Sequence, residues 1–177
     1  MFGSTLDVFN NSTQFMSDAD LNAIAQYLKS LPANGAPTTP IRRESDTAAT
    51  LEQADFSMPG SATYMTYCSS CHAANGGGRG GLLALLAANS AITGNDASSL
   101  VNVILNGSPA PVVDGIPGAY RMPASRVILS DQEIADVATF VRTGWGNDSS
   151  AVTAKQVSAL RGKTAKADIR SYTLPTN

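Results

Sequence analysis

The sequence predicts an all-α protein built from short helices. Apolar residues recur with the 3.6-residue helical period in several segments, and the clearest of them open on a capping serine. Strand signals are few, with Pro111-Val112-Val113 and Val127-Ile128-Leu129 as the only candidates. The stretch Asn106 to Tyr120 is rich in Pro and Gly and reads as an irregular loop.

Two of the helical segments repeat each other. Ser17 to Ser30 aligns without gaps on Ser130 to Thr143, with three identical and seven conservatively replaced positions. Each copy starts with a serine and carries an acidic residue three positions on, the capping-box pattern. Each then spaces apolar residues along one helix face: Leu21, Ile24, Tyr27 and Leu28 in the first, Ile134, Val137, Phe140 and Val141 in the second. Residues 32–56, with Pro32, Pro37 and Pro40 followed by polar and charged residues, read as a linker. Gly60 to Tyr67 is predicted as a short helix capped by Ser61, and Ala73 to Gly81 as a Gly-rich loop. That loop fits neither a P-loop nor a dinucleotide fingerprint and suits a close approach to a flat ligand. Ala97 to Asn106 is a helix with Leu100, Val101, Ile104 and Leu105 on its apolar side, ended by Gly107. Val152 to Gly162 is a weaker helix, and the tail beyond is expected as an extended arm.

Composition bounds the function. The 177 residues suffice for one domain, or for one domain and part of another. With 43% hydrophobic and 15% charged residues the chain is globular and of low charge. A net charge of −2 argues against nucleic acid as a partner, since phosphate binding needs a basic surface. The longest apolar run, Leu82 to Ala88, falls far short of the roughly 20 residues that span a bilayer.

The chemistry is concentrated in one pentapeptide. The only histidine and both cysteines of the chain stand in Cys68-Ser69-Ser70-Cys71-His72. A C-x-x-C-H run is the attachment signature of a c-type haem. Two thiols one helical turn apart add to the porphyrin vinyl groups as thioethers, and the adjacent imidazole is held beneath the iron. A structural zinc site would need a fourth ligand of Cys or His type, and a thioredoxin-like pair would need βαβ flanks. A lone disulfide is the remaining reading of the two cysteines. Covalent haem implies export, yet no basic and apolar leader opens the chain. The expectation is therefore a mature protein or an excised piece of a larger one. The repeat favours the piece, because its first copy has no haem motif upstream.

Electron transfer through haem needs a second axial ligand, and no second histidine exists. A methionine is the expected soft partner. Met65 and Met58 lie just ahead of Cys68, on the wrong side of the ring, while Met1 and Met16 belong to the N-terminal segment. Met122, in a loop stiffened by Pro123, is placed to reach the opposite face. No nucleophile–base pair can be assembled, so an enzyme activity of its own is not expected.

These motifs together resemble class I cytochrome c domains. The run Cys68 to Gly78, the segments Asn89 to Gly94 and Val101 to Gly107, Arg121-Met122-Pro123-Ala124, and Leu129 to Asn147 carry the resemblance. They are most similar to the third haem domain of the triheme cytochrome c subunit of membrane-bound bacterial dehydrogenases, the flavin-dependent glucose, gluconate and fructose enzymes and the quinoprotein alcohol enzymes. The resemblance implies a class I cytochrome c fold, with short helices around one covalent haem c. It implies thioethers at Cys68 and Cys71, His72 as proximal ligand and Met122 as distal ligand. Residues 1–31 are then the C-terminal helix remnant of a preceding cytochrome c domain, 32–56 the linker, 57–147 the cytochrome c domain and 148–177 a C-terminal extension. The implied function is single-electron relay from a dehydrogenase catalytic subunit with a flavin or quinone cofactor, through other haem domains, to membrane quinone or another redox partner. The location is periplasmic, at the cytoplasmic membrane, with membrane association only through the parent complex. A haem-based redox or gas sensor is the alternative. One departure stands out. Leu82 to Leu86 occupies the place of a usual Phe-Pro-Pro-Leu, whose proline carbonyl accepts the Nδ1 hydrogen of the ligand histidine. Here Ala84 or Leu85 is left to provide that carbonyl.

Overall fold

The computed structural model describes residues 4–32, 45–80, 83–118 and 120–164, and these fall into two compact units. The smaller unit takes the described residues of 1–40 together with those of 110–119. In it, α1 (Ser4–Asn11) leads through a 3-10 turn (Thr13–Phe15) into α2 (Asp18–Ser30). Ser17 caps α2 as the repeat predicts, its hydroxyl accepting the Asp20 amide at 3.2 Å. The other stretch of this unit corrects the irregular-loop expectation. It is a hairpin in which β1 (Val112–Val113) pairs antiparallel with β2 (Ile116–Pro117). Its turn is Asp114-Gly115, with φ of +51° and +77°, the left-handed pair that a two-residue hairpin demands. Asn10 and Gln14 accept the amides of Val112 and Asp114 at 3.0 and 3.4 Å.

The larger unit takes the described residues of 41–109 and 120–177. Its elements are α3 (Thr47–Glu52), α4 (Ser61–Tyr67), α5 (Ser69–His72), α6 (Ser90–Thr93), α7 (Ser98–Asn106), α8 (Asp131–Thr143), a 3-10 turn (Gly144–Gly146) and α9 (Ala154–Thr164). Helix α3 lies inside the stretch expected as linker. Leu51 on it is buried, and its Thr47 hydroxyl accepts the Trp145 amide at 3.1 Å. Residues 33–44 of that stretch lie outside the described residues, as does the expected C-terminal arm beyond Thr164.

The core forms where α4 meets α8. A Cβ added to Gly60 would lie 2.3 Å from the Asp136 carbonyl oxygen, and Gly60 has φ of +85°. Only glycine satisfies both conditions. Gly60 is accordingly the N-cap of α4, and Ser61, expected as the cap, is its first helical residue, donating its hydroxyl to the Met58 carbonyl at 2.5 Å. Above this contact Tyr64, Phe140 and Trp145 form a triangle with ring centroids 5.0 to 5.4 Å apart, inside the range of favourable aromatic packing. Leu105 from α7, Ile134 and Val137 from α8, and Val157 from α9 are buried with them. Ser130 and Glu133 complete the predicted capping box of α8. Val127 to Leu129, the second strand candidate, is a turn: the amides of Ile128 and Leu129 both donate to the Ser125 carbonyl, at 3.1 and 3.0 Å.

Two arginines tie α9 into this unit. Arg161 pairs with Asp131 at 2.7 Å and donates to the Leu129 carbonyl at 2.9 Å and to that of Arg126. Arg126 in turn donates to the Arg161 carbonyl at 3.0 Å and to the Asn106 side chain at 2.9 and 2.8 Å. Among the described residues no helix is long and apolar enough to cross a membrane.

Candidate haem-attachment site

The C-x-x-C-H run is wound round a single carbonyl. Helix α4 ends at Tyr67, Cys68 departs from helical geometry with φ −120° and ψ −35°, and α5 restarts the helix. The amides of Cys71 and His72 both donate to the Cys68 carbonyl, at 3.1 and 2.9 Å. Cys68, Cys71 and His72 thus share one turn, as the sequence predicts. Both cysteines are free and half-buried. Burial first, and Cys71 second, push the Cys68 thiol up to about 11.

The chain turns away after His72 through Ala73, at φ +62°. Three groups hold that turn against the aromatic triangle. The Tyr64 hydroxyl donates to the Ala73 carbonyl at 2.6 Å, and Trp145 Nε1 donates to the Ala74 carbonyl at 2.8 Å. Burial, followed by the charge of Cys68, raises the Tyr64 phenol above its ordinary range, so it remains a donor at neutral pH. Gly76, at φ +64°, passes so close to Trp145 that a Cβ there would lie 2.7 Å from the indole.

His72 Nδ1 lies 2.8 Å from the Ala84 carbonyl oxygen. A carbonyl only accepts, so Nδ1 carries a proton, and the neutral ring in that tautomer presents its lone pair at Nε2, as a metal-ligating histidine needs. Of the two carbonyls left open by the sequence, the one used is that of Ala84. The loop that presents it is held from several sides. Gly78 N–H donates to the His72 carbonyl at 3.0 Å, and the amides of Leu86 and Ala87 donate to that of Gly76 at 2.8 and 3.1 Å. Buried Asn147 bonds the Leu86 and Val141 carbonyls through its amide nitrogen, and its oxygen accepts the Ala88 amide at 2.8 Å. The supporting roles of Trp145 and Asn147 leave no pattern in sequence, because their bonds to Ala74, Leu86 and Ala88 join residues far apart in the chain.

Beside the turn lies a cavity of about 310 Å³ lined by Ser70, Cys71, Arg79, Leu83 and Tyr120, a volume within the range of cofactor pockets. Cys68, His72 and Met122 are not in its wall, although His72 follows Cys71 and Met122 lies two residues after Tyr120. Met122 is half-buried, and its amide and carbonyl pair with those of Ser108 at 3.0 Å each. Gly107 makes room for this pairing: with φ +71°, it brings its Cα so near that a Cβ would lie 2.4 Å from the Met122 oxygen. Met65 sits on α4 one turn ahead of Cys68, its carbonyl accepting the Ser69 hydroxyl at 2.7 Å. The free thiol pair on one turn, an imidazole presenting Nε2, and a cavity beside them fit a covalently attached haem.

Comparison with known proteins agrees. A family model for cytochrome c matches residues 57–145. The chain is 41% identical over 162 residues, 90% of its length, to the gluconate 2-dehydrogenase cytochrome c subunit of Pantoea cypripedii, of which the match covers 37%. It is 41% identical over 163 residues to the cytochrome c subunit of alcohol dehydrogenase (quinone) from Gluconacetobacter polyoxogenes, covering 91% of the chain and 35% of the relative. The corresponding subunit of Gluconobacter oxydans (strain 621H) is 38% identical over 162 residues, 91% of the chain and 34% of the relative. The chain spans about a third of the length of these curated relatives. Each is named as the cytochrome c subunit of a dehydrogenase, and a sensor finds no support among them. With its mostly helical structure, consistent with the class I fold, the chain belongs to the cytochrome c family and transfers electrons through a covalently bound haem c.

Proposed function

We propose that this chain is the third haem domain of a triheme cytochrome c subunit, with the tail of the domain before it. In this reading it relays single electrons from a dehydrogenase catalytic subunit, bearing a flavin or quinone cofactor, through the other haem domains to membrane quinone or a further redox partner. The location is periplasmic, at the membrane through the parent complex. One haem is attached at Cys68 and Cys71, with His72 and Met122 as axial ligands. The observation that carries the assignment is the His72 Nδ1–Ala84 hydrogen bond on the same turn as two free thiols. Met122 is the distal ligand in this reading, and the pairing of its amide and carbonyl with Ser108 supports it by anchoring the segment that carries the thioether. Bound haem supplies the one-electron chemistry. The chain holds the ligands, orients the imidazole and tunes the potential.

The residues 57–147 form the haem domain in this reading, 1–31 the remnant, 32–56 the linker and 148–177 an extension. The identity of 41% to a gluconate and to an alcohol enzyme subunit alike is what a shared relay module gives when the catalytic partner chooses the substrate. The test is expression in a host that attaches haem. Denaturing mass spectrometry should give the polypeptide plus one haem, and an unmodified mass sinks the attachment. Met122→Ala should abolish the far-red sulfur-to-iron absorption band and lower the potential. A variant with band and potential unchanged means that another residue is the sixth ligand.

A further inference from the structure

We propose that Arg79 is a positioning residue for the axial histidine, fixing the carbonyl that His72 Nδ1 uses. The inference rests on His72 being the iron ligand. The carbonyl belongs to Ala84, which stands on a loop poorly suited to precision. The chain has Gly76, Gly77, Gly78, Gly80 and Gly81 just before it, and no proline between Cys71 and Pro109. Glycine leaves the backbone many conformations to lose, and proline, which would remove some of them, is missing. Yet a hydrogen bond weakens steeply with angle, so the Ala84 carbonyl must be held.

Arg79 holds it at two points. Its Nε donates to the Ser70 carbonyl at 2.6 Å, and Ser70 lies between the two cysteines. Its own carbonyl accepts the Leu83 amide at 3.3 Å in a bridge that pairs the two residues. Leu83 immediately precedes Ala84. A charged donor therefore links the haem-attachment turn directly to the residue before the acceptor. Among the described residues it is the only side chain of residues 76–87 that bonds to that turn. Gly78 contributes beneath it: at φ +68° it lies so close that a Cβ would come 2.2 Å from the Leu83 carbonyl oxygen. Arg79 thus reaches the cysteine turn through its side chain and the residue before the histidine's acceptor through its own carbonyl.

The experiment uses the full-chain holoprotein and follows solvent exchange of the His72 Nδ1 proton by NMR in the ferrous state. Arg79→Met removes the donor. Losing a hydrogen bond worth about 1 kcal/mol should speed exchange about fivefold. Leu85→Pro provides the rescue. The Leu85 N–H makes no hydrogen bond among the described residues, and a proline there confines Ala84 to extended backbone. The double variant should return towards the unmodified rate. If Arg79→Met alone yields no holoprotein, recovery of holoprotein in the double variant also supports positioning. Three results overturn the proposal: unchanged exchange in Arg79→Met, a double variant as fast as Arg79→Met, or no holoprotein from either. A failure of the ligand reading looks different, since the unmodified holoprotein would then lack a slowly exchanging Nδ1 proton altogether.

Discussion

Helices α2 and α8 share a serine cap, a length of 13 residues and an apolar stripe, and they differ in what lies over the stripe. On α8 the residues Ile134, Val137, Phe140 and Val141 are at most 4% exposed. Their counterparts on α2, Leu21, Ile24, Tyr27 and Leu28, are 39 to 64% exposed. The α8 stripe is covered by Tyr64 and the close backbone approach at Gly60, by α7 and by Trp145. An amphipathic pattern states that a helix needs cover and does not bring it. The bare stripe on α2 accords with the proposal that it closed a preceding haem domain. The one basic pair in the alignment sharpens the contrast. Lys29 is exposed, whereas Arg142 is 1% exposed and donates to the carbonyls of Ile92, Gly94 and Ser150 at 2.5, 2.9 and 2.8 Å.

The comparison breaks most easily at the aromatic position. Phe140→Ala opens a cavity beside Tyr64 and Trp145 and should cost about 3–5 kcal/mol. Tyr27→Ala at the matching place should change stability by about 0.5 kcal/mol or less. Denaturant unfolding of the holoprotein measures both, and comparable losses would mean that the α2 stripe is covered in solution. Next comes the basic position. Arg142→Lys keeps the charge but loses the planar fork that reaches several carbonyls, at an expected cost of about 1.5–3 kcal/mol. Lys29→Arg should leave the unfolding midpoint where it was. An Arg142→Lys protein as stable as the unmodified chain would show that the loops carrying Ile92 and Ser150 do not depend on the guanidinium.

The smallest effects concern the caps. Ser130→Ala should lower global stability by about 1 kcal/mol, while Ser17→Ala should fray α2 without moving the global transition. Amide exchange in the first turn of each helix separates the two. The α8 cap should also respond to acid. The amide of Ser130, and then its hydroxyl, hold the Glu133 carboxyl below its ordinary value. A lowered folded-state value means that the contribution is full above the unfolded value, about pH 4, and is lost as pH falls through the folded one. The stability gap between the unmodified chain and Glu133→Ala should therefore narrow between about pH 5 and pH 3. A gap that widens on acidification has the wrong sign for this cap.

Parts of this architecture are readable because their causes are local. Ser17 and Ser130 cap helices one residue later because the capping group and its amides lie within a single turn. Asp114-Gly115 carried a hairpin signal as well, but the surrounding prolines and glycines outweighed it in a loop reading. Gly60 displaced Ser61 from the cap for a reason no local window contains, the backbone of α8 pressed against it.

The sequence alone determined that two thiols and an imidazole come together, since groups at C-x-x-C-H spacing meet wherever one helical turn forms. It likewise determined the helical class and the places where α2 and α8 begin. Only the tertiary structure decided which of the two apolar stripes is buried, that Ala84 rather than Leu85 faces His72, and that Arg142 and Asn147 are buried among backbone carbonyls. The physical reason is separation along the chain. Periodicity and capping act within a few residues, whereas cover, acceptor choice and the satisfaction of buried polar groups depend on segments that become neighbours only once the chain has folded.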